Sequence, residues 1–376
     1  MNKKVIFLSG TRADFGKIKS LIQVLEEKKG FEPYIFVTGM HLMHKYGMTV
    51  IEIERCKFSN IHTFSNHTSE TSMDLTLSKT IEGFSAFVKE TKPDLVVVHG
   101  DRIEALAGAI VGSLNNIKVA HIEGGEVSGT IDELIRHSVS KMSHVHFVSN
   151  KLAEQRLIQM GEIEDSIEII GSPDVDIMFS NKLPRLPIVK DYYNLKFENY
   201  VVAMFHPVTT DYNNMKHHAI EFVNAILEDT NNYVVIYPNN DLGSSLILDE
   251  YKRLQNNSRI KIFPSLRFEY FLTLLKNAQF IIGNSSAGIR EAPYYGLPTI
   301  NIGSRQDNRS KNPNIINTIC EKGEILKSIL NVKKLDLKND NDSFGKGNSS
   351  DLFMKSLENN SFWKISTQKK FIDLNL

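Results

Sequence analysis

Short apolar runs alternate with longer amphipathic stretches along most of this chain. In the first half, runs rich in Val, Ile, Leu and Phe predict buried strands at residues 5–8, 34–37, 95–98, 119–122, 145–148 and 167–170. Apolar residues that recur every three or four positions predict helices at residues 17–28, 49–55, 72–90, 103–114, 131–142 and 153–160. Continuous apolar strands separated by helices are typical of a parallel sheet that is covered by helices on both faces.

The same alternation restarts near residue 200. Strands are predicted at residues 200–205, 233–237, 260–263, 280–282 and 299–302. Helices are predicted at residues 215–227, 245–254, 270–276 and 286–295. Pro184 and Pro187 interrupt the pattern before this half, and two short helical patterns with the only tryptophan, Trp363, follow it.

The pattern therefore predicts an α/β protein of two Rossmann-like domains. The first occupies residues 1–180 and the second residues 199–350, with a linker at 181–198 between them. Residues 351–376 are expected to form a tail that packs back on the first domain. Two such domains that face each other would place a substrate in the cleft between them. With 376 residues, the chain is long enough for two hydrophobic cores.

The amino-acid composition limits the classes of molecule that the protein is expected to bind. Lys and Arg together number 44, as do Asp and Glu, so the formal net charge is zero and gives no support for binding to nucleic acid or an anionic membrane. Cys56 and Cys320 lie far apart without His or Cys at metal-ligand spacing, so we expect neither a disulfide nor a metal site. The N-terminal apolar run is too short for a signal peptide, and no run approaches the ~20 residues of a membrane span. These features favour a cytoplasmic protein without a cofactor.

Carboxylates follow two of the predicted strands and open the next helix. In sequence order they are Asp101, Glu123, Asp132 and Glu133. Ligands of an open parallel sheet bind outside the carboxyl ends of its strands. Helix capping or an ion pair with Arg102 or Arg136 explains one such carboxylate well, but it explains four at one edge poorly. We therefore predict general acid/base catalysis on a bound substrate, since no Ser/His/Asp or Cys/His nucleophile pattern is present.

Three loops have features of phosphate sites. The turn GTRADFGK (10–17) joins a strand to a helix and carries Arg12, so it suits a phosphate and an ordinary capped turn about equally. In GNSSAGIRE (283–291), Ser285 and Ser286 would meet a diphosphate at the start of the predicted helix, and Glu291 would accept hydrogen bonds from ribose. The alternative is a serine N-cap with small residues for close packing. Arg305 after the next strand favours the phosphate interpretation.

His206 ends the first strand of the second domain and is expected to face the cleft. A histidine there could hydrogen-bond a phosphate, shuttle a proton or merely cap a loop.

Seven segments, taken in order, closely resemble the hydrolysing UDP-N-acetylglucosamine 2-epimerases. They are TRADFGK (11–17), VTGMHL (37–42), HGDR (99–102), HIEGGEVSGTIDELIRH (121–137), HPVTTD (206–211), GNSSAGIRE (283–291) and GSRQ (303–306). The resemblance implies a GT-B arrangement with the nucleotide sugar in the interdomain cleft. It also implies conversion of UDP-N-acetylglucosamine and water to N-acetylmannosamine and UDP, through 2-acetamidoglucal, at the entry to sialic-acid-type sugars.

The same resemblance assigns roles to residues of this chain. It implies catalysis by Asp101, Glu123 and Asp132, with Glu133 as a fourth carboxylate, and assistance to UDP departure by His206. The implied contacts to diphosphate and ribose are Arg12, Arg102, Ser285, Ser286, Glu291 and Arg305. The implied partners are a UDP-sugar substrate, the UDP product and further copies of the chain in a dimer or tetramer.

Three alternatives remain open. The segments FPSLRFEYF (263–271) and SFWKISTQKKF (361–371) resemble the branch that performs the same reaction on nucleotide-linked 2,4-diacetamido-2,4,6-trideoxyglucose, on the way to legionaminic acid. A GT-B glycosyltransferase would need an acceptor groove and usually one base. A nucleotide-sugar-binding regulator would need the phosphate loops but not Asp101, Glu123 and Asp132 together.

Overall fold

A computed structural model describes residues 2–67, 72–181, 183–337, 343–370 and 372–373. Residue 182 of the predicted linker, residues 338–342 of the predicted second domain and residues 371 and 374–376 of the predicted tail lie outside the described residues. The chain forms two compact units. Unit 1 comprises Met1–Glu126, Asp132–Ser180 and Asp342–Leu376, and unit 2 comprises Val127–Ile131 and Asn181–Asn341.

Unit 1 is built on a seven-stranded parallel sheet. Its strands are β1 (Lys3–Ser9), β2 (Phe31–Val37), β3 (Ile61–Thr63), β4 (Leu95–His99), β5 (Lys118–Ile122), β6 (Val145–Val148) and β7 (Ile167–Ile169). The spatial order is β3-β2-β1-β4-β5-β6-β7. Its connecting helices are α1 (Arg12–Glu26), α2 (Val50–Glu54), α3 (Met73–Thr91), α4 (Ile103–Leu114), α5 (Ile131–Met142), α6 (Lys151–Gln159) and α7 (Pro173–Met178).

Unit 2 repeats this plan with a six-stranded parallel sheet. Its helices are α8 (Leu186–Tyr192), α9 (Met215–Glu228), α10 (Ser244–Tyr251), α11 (Phe268–Lys276), α12 (Glu291–Tyr294) and α13 (Lys322–Val332). Its strands are β8 (Val201–Met204), β9 (Tyr233–Ile236), β10 (Ile260–Phe263), β11 (Ile281–Gly283), β12 (Thr299–Ile302) and β13 (Ile315–Thr318). The spatial order is β10-β9-β8-β11-β12-β13.

Both sheets have the Rossmann strand order, which confirms the predicted α/β class with two Rossmann-like domains. In each sheet, the second and third strands along the chain lie on one side of the first strand, and the later strands lie on its other side. The order reverses between β1 and β4 in unit 1, and between β8 and β11 in unit 2. Such switch points open a crevice beyond the carboxyl ends of the strands, where ligands of this fold class bind.

The predicted helix at residues 286–295 is wrong. The structure has a 3-10 turn at Ser286–Gly288 and then the four-residue helix α12. Pro293 explains the break, because a proline has no N–H to bond to the carbonyl of Ile289, and its ring would clash with that carbonyl. The sequence also missed two edge strands, β3 and β13, which are short and carry polar residues.

The unit boundaries differ from the predicted domain boundaries at three places, and one of them is Val127–Ile131, which was predicted in the first domain and belongs to unit 2. Residues of the predicted linker belong to unit 2 and include α8, near which Thr273 Oγ1 donates to the Pro184 carbonyl at 2.8 Å. Residues 343–350, predicted in the second domain, belong to unit 1. The Asp176 carboxylate holds them there, because it accepts the N–H groups of Ser349 and Ser350, both at 2.8 Å.

The C-terminal segment contributes helices α14 (Ser349–Glu358) and α15 (Asn360–Lys364) to the core of unit 1. Phe353 is fully buried, with its ring centroid 5.0 Å from that of Phe147 and 6.3 Å from that of Phe7. Lys369 Nζ donates to the Ser143 carbonyl at 2.6 Å, near the end of α5. Within the described part of the chain, no helix is both long and apolar enough to cross a membrane.

We predict that Phe353→Ala lowers the free energy of unfolding of unit 1 by about 3–5 kcal/mol, because it leaves a cavity between the sheet and α14. The fluorescence of Trp363, the only tryptophan, reports this transition during denaturant unfolding. Lys355→Ala, on the exposed face of the same helix, is the control and should change stability by less than about 0.5 kcal/mol. Equal midpoints for both variants would show that α14 does not stabilise unit 1.

Candidate active site

Asp101 and Glu123 follow the neighbouring strands β4 and β5, and Arg136 of α5 joins them. Arg136 Nη2 donates to the Asp101 carboxylate, and Nη1 donates to the Glu123 carbonyl oxygen at 2.7 Å. Arg136 is buried, whereas the Asp101 side chain is 22% exposed. A buried guanidinium requires such partners, so this contact fixes the two strand ends relative to α5.

The Glu123 side chain lies in a buried polar pocket of unit 1. Its carboxylate accepts a hydrogen bond from Ser172 Oγ, and His99 Nε2 lies 3.1 Å from Oε2. Lys17 Nζ lies 3.6 Å from Glu123 Oε1 and 3.1 Å from Asp174 Oδ2. Ser172 thus donates to this buried carboxylate, and the Lys17 cation lies beside it, so its charge has compensating partners in the interior.

The backbone of Glu123 has a conformation that residues other than glycine rarely adopt. Its φ is +64°, in the left-handed region, while its N–H still donates to the Phe147 carbonyl at 2.9 Å. The following Gly125 has φ +74°, and a Cβ there would lie 2.2 Å from the Ala153 carbonyl oxygen. The two glycines of EGGE thus let the chain turn tightly, and the turn fixes where the Glu123 carboxylate points.

The two acidic residues of α5 have different surroundings. Asp132 is buried and lies one helical turn before Arg136, on the same face of the helix. Glu133 is 39% exposed, and its Oε1 lies 3.6 Å from His137 Nε2. Asp132 therefore lies on the same helix face as Arg136, which binds Asp101 and Glu123. Glu133 lies on a more exposed face.

His121 holds the turn that carries Asp101. Its Nε2–H donates to the Gly100 carbonyl at 2.8 Å, and Nδ1 accepts from Ser140 Oγ at 3.0 Å. Complete burial lowers the pKa of His121 to about 3, so the ring is neutral at physiological pH.

The first loop of unit 1 is occupied by its own capping residues. Asp14 and Thr11 form a capping box, and the Asp14 carboxylate also accepts the N–H of Gly10 at 3.0 Å. These amides are therefore engaged within the loop, as the ordinary-turn interpretation expects. Arg12 is the first residue of α1 and is partly exposed. Burial lowers the pKa of neighbouring His41 to about 4, to which the charge of Arg12 contributes.

Arg102 is the N-cap residue of α4. Its Nε lies 3.7 Å from Oε2 of Glu104, a carboxylate that is only 1% exposed. A Cβ on Gly10 would lie 2.7 Å from the Glu104 carboxyl carbon, so Glu104 lies directly beneath the first loop. The switch point of unit 1 is therefore flanked by Arg12 on one side and by Asp101 and Arg102 on the other.

In unit 2, His206 follows β8 at the switch point. Its backbone N–H donates to Asn284 Oδ1 at 2.6 Å, and its carbonyl accepts from Asn284 Nδ2 at 2.9 Å. The ring Nδ1 accepts the backbone N–H of Asn239 at 3.0 Å. His206 is thus held by loops that follow β9 and β11.

The remaining candidates of unit 2 lie in the loops after β11 and β12. Ser285 is the N-cap of the 3-10 turn, and its Oγ accepts from the Ala287 N–H at 3.3 Å. Ser286 is partly exposed. Glu291 is buried at the start of α12. Arg305 Nη1 donates to the Asn284 carbonyl at 3.3 Å, which places this cation beside the end of β11.

The short segment Val127–Ile131 also belongs to unit 2. The Gly129 N–H donates to the Arg305 carbonyl at 3.0 Å, and a Cβ on Gly129 would lie 2.0 Å from the Ser304 carbonyl oxygen. Only glycine permits this approach, so the segment before Asp132 rests on the loop of Arg305.

Sequence reasoning missed the residues that support these candidates. In unit 1 they are Lys17, His99, His121, Arg136 as a bridge, Ser172 and Asp174, and in unit 2 they are Asn239 and Asn284. Their position in the sequence could have revealed some of them, because His99, Ser172 and Asn284 also lie at or just after strand ends. Among the described residues, no group of three or more His, Cys, Asp or Glu is arranged to hold a metal ion.

Comparison with known proteins identifies similar chains. A family model described as UDP-N-acetylglucosamine 2-epimerase matches residues 23–358. The chain is 48% identical to the UDP-N-acetylglucosamine 2-epimerase of Neisseria meningitidis serogroup B, over 100% of both chains. It is 33% identical to the UDP-N,N'-diacetylbacillosamine 2-epimerase (hydrolyzing) of Legionella pneumophila, over 93% of this chain and 94% of the other.

Solved structures show the same fold. The Methanocaldococcus jannaschii UDP-GlcNAc 2-epimerase in complex with UDP-GlcNAc and UDP superimposes with a TM-score of 0.80 at 24% identity, over 95% of this chain and 99% of that one. The Neisseria meningitidis UDP-GlcNAc 2-epimerase bound to UDP-GlcNAc gives a TM-score of 0.78 at 19% identity, over 95% and 100%.

We predict that His121 makes unit 1 less stable as the pH falls below 6.5. Its pKa is about 3 when folded and about 6.5 when unfolded, so protons bind preferentially to the unfolded chain. Between pH 7 and pH 5 this costs about 2 kcal/mol of unfolding free energy. His121→Gln, which can still donate to the Gly100 carbonyl, should lose correspondingly less stability over this range. Parallel pH profiles from Trp363-detected unfolding would contradict the assignment.

Proposed function

Because the chain belongs to the UDP-N-acetylglucosamine 2-epimerase family, we propose that it is a hydrolysing member. It converts UDP-N-acetylglucosamine and water to N-acetylmannosamine and UDP. The observation that carries this proposal is the Arg136 link, which holds Asp101 and Glu123 at adjacent strand ends beside the switch point of unit 1. Acid/base groups at that position suit proton transfer on a bound sugar.

In the first step a carboxylate removes the proton from C2 of the sugar. The C1–O bond breaks, and its electron pair leaves with the diphosphate of UDP, which gives 2-acetamidoglucal. In the second step a base takes a proton from water as the water oxygen bonds to C1. A protonated group on the opposite face returns a proton to C2. We assign these transfers to Asp101, Glu123 and Asp132, with Glu133 as the fourth carboxylate.

The following side chains are proposed to contact the nucleotide. His206 donates to the leaving diphosphate, and Arg12, Arg102 and Arg305 neutralise its charge. Ser285 and Ser286 supply hydroxyl donors, and buried Glu291 accepts from the ribose hydroxyls. No step uses the dipole of a long helix after β11, because α12 has only four residues.

The names of two relatives suggest which sugar the substrate carries. The 48% identical relative is named a UDP-N-acetylglucosamine 2-epimerase, which supports N-acetylglucosamine as the substrate sugar. The 33% identical Legionella relative is named for the diacetamido sugar and for hydrolysis, so the 2,4-diacetamido-2,4,6-trideoxy donor is the second candidate. A third relative, the polysialic acid biosynthesis protein P7 of Escherichia coli, is 34% identical over 87% of this chain and supports a role in supplying sialic-type acids.

We also propose a cytoplasmic location and assembly into a homo-oligomer. The chain has only two cysteines, Cys56 and Cys320, which lie far apart in the sequence, and this low cysteine content suits a reducing compartment. Leu114 and Leu134 of unit 1 are 74% and 63% exposed, and contact with a second copy would remove this apolar surface from water.

Incubation with UDP-N-acetylglucosamine in deuterated water tests the reaction. We expect NMR to show free UDP and N-acetylmannosamine with deuterium at C2, because C2 exchanges its proton with solvent. Turnover of only the diacetamido donor would select the second sugar. Protium retained at C2 would exclude the elimination step, and UDP-N-acetylmannosamine as the final product would show a non-hydrolysing enzyme.

Asp101→Asn tests the carboxylate role. We expect turnover to fall about 100- to 10,000-fold, because the amide cannot accept a proton, while UDP affinity stays within about twofold. Asp94→Asn is a matched control, since Asp94 lies before the other end of β4 and pairs with Lys3 at 2.7 Å. It should retain normal turnover. Unfolding of Asp101→Asn, or equal turnover in both variants, would assign Asp101 a structural role only.

A further inference from the structure

Asn284 makes a two-point contact with the backbone of His206. Its side-chain amide accepts the His206 N–H at 2.6 Å and donates to the His206 carbonyl at 2.9 Å, although the two residues are 78 positions apart. Asn284 is 1% exposed. One buried amide therefore satisfies both backbone polar groups of His206 and orients its peptide just beyond the end of β8.

The backbone carbonyl of Asn284 connects a third loop. It accepts from Arg305 Nη1 at 3.3 Å and from Gln306 Nε2 at 2.9 Å. Asn284 thus joins the loops that follow β8, β11 and β12. The histidine and the arginine that would contact a diphosphate are held by the same residue.

The Asn239 backbone N–H determines the state of the His206 ring. It donates to Nδ1 at 3.0 Å, so Nδ1 carries a lone pair and the ring hydrogen is on Nε2. A second ring proton, on Nδ1, would point at the Asn239 N–H. This hydrogen bond therefore favours a neutral His206 ring.

We propose that Asn284 is a positioning residue which, with the Asn239 amide, presents His206 to the leaving diphosphate as a neutral Nε2–H donor. The inference rests on the proposed function, which places a nucleoside diphosphate at this switch point. His206 then gives a hydrogen bond and transfers no proton. The electron pair of the C1–O bond stays on the diphosphate, which departs as an anion, and the Arg305 guanidinium beside Asn284 compensates its charge.

The identity of residue 284 follows from this geometry. Aspartate has the same size but lacks the Nδ2 donor, so one of its oxygens would face the His206 carbonyl oxygen. Its negative charge would also lie beside the diphosphate. Asn284→Asp therefore changes the hydrogen-bond pattern and the charge with little change in volume.

The test compares Asn284→Asp with Asn301→Asp. Asn301 lies on the neighbouring strand β12, is 2% exposed and donates to Asn317 Oδ1 at 2.8 Å, so it undergoes the same change away from His206. We expect UDP affinity, measured by calorimetry, to fall at least about 10-fold further in Asn284→Asp than in Asn301→Asp. We also expect a larger fall in kcat. If Asn284→Asp does not fold, the uncharged Asn284→Ser and Asn301→Ser are compared instead.

A second measurement reports on the ring itself. In the wild-type protein labelled with ¹⁵N-histidine, the signal absent from His206→Gln should show an unprotonated Nδ1 and a protonated Nε2. A proton on Nδ1, or equal UDP affinities in the aspartate variants at residues 284 and 301, would overturn the inference. Failure of the wild type to release UDP from either nucleotide sugar would instead overturn the proposed function.

Discussion

The buried guanidinium of Arg136 is the constraint on which the candidate site of unit 1 depends. A cation in the interior is stable only with charged and hydrogen-bonding partners, and here they are the Asp101 carboxylate and the Glu123 carbonyl. These partners lie at the ends of two strands and the cation lies on a helix. One interaction therefore fixes three elements. The left-handed backbone of Glu123 is held in part by this contact, and the following glycines permit the turn.

In unit 2 the corresponding connection contains no ion pair. Asn284 contacts the His206 backbone through its neutral side-chain amide, and its backbone carbonyl accepts hydrogen bonds from Arg305 and Gln306. This difference is chemically consistent with the proposed roles. The buried carboxylates of unit 1 have cationic partners nearby, whereas a site for an anionic diphosphate would be weakened by an added carboxylate.

The hydrophobic pattern predicted the most regular helices correctly, but it missed the short edge strands, the eleven-residue helix α13 and a break that depends on one residue. Helices at residues 103–114 and 131–142 have the predicted bounds, because their apolar periodicity is clear. The edge strands β3 and β13 have few apolar residues to reveal them. The break before α12 depended on Pro293, whose effect on the carbonyl four residues earlier outweighs the helical pattern around it.

The sequence by itself determined the α/β class, the two Rossmann-like domains and the chemical groups that follow each strand. Those features arise from periodicity and from residues adjacent in the chain. Only the tertiary structure decided which groups meet. Ser172 reaches Glu123 across 49 positions, and Asn284 reaches His206 across 78. A hydrogen bond requires contact within about 3.5 Å and leaves no periodic trace in the sequence, so these partners appear only once strand order brings their loops together.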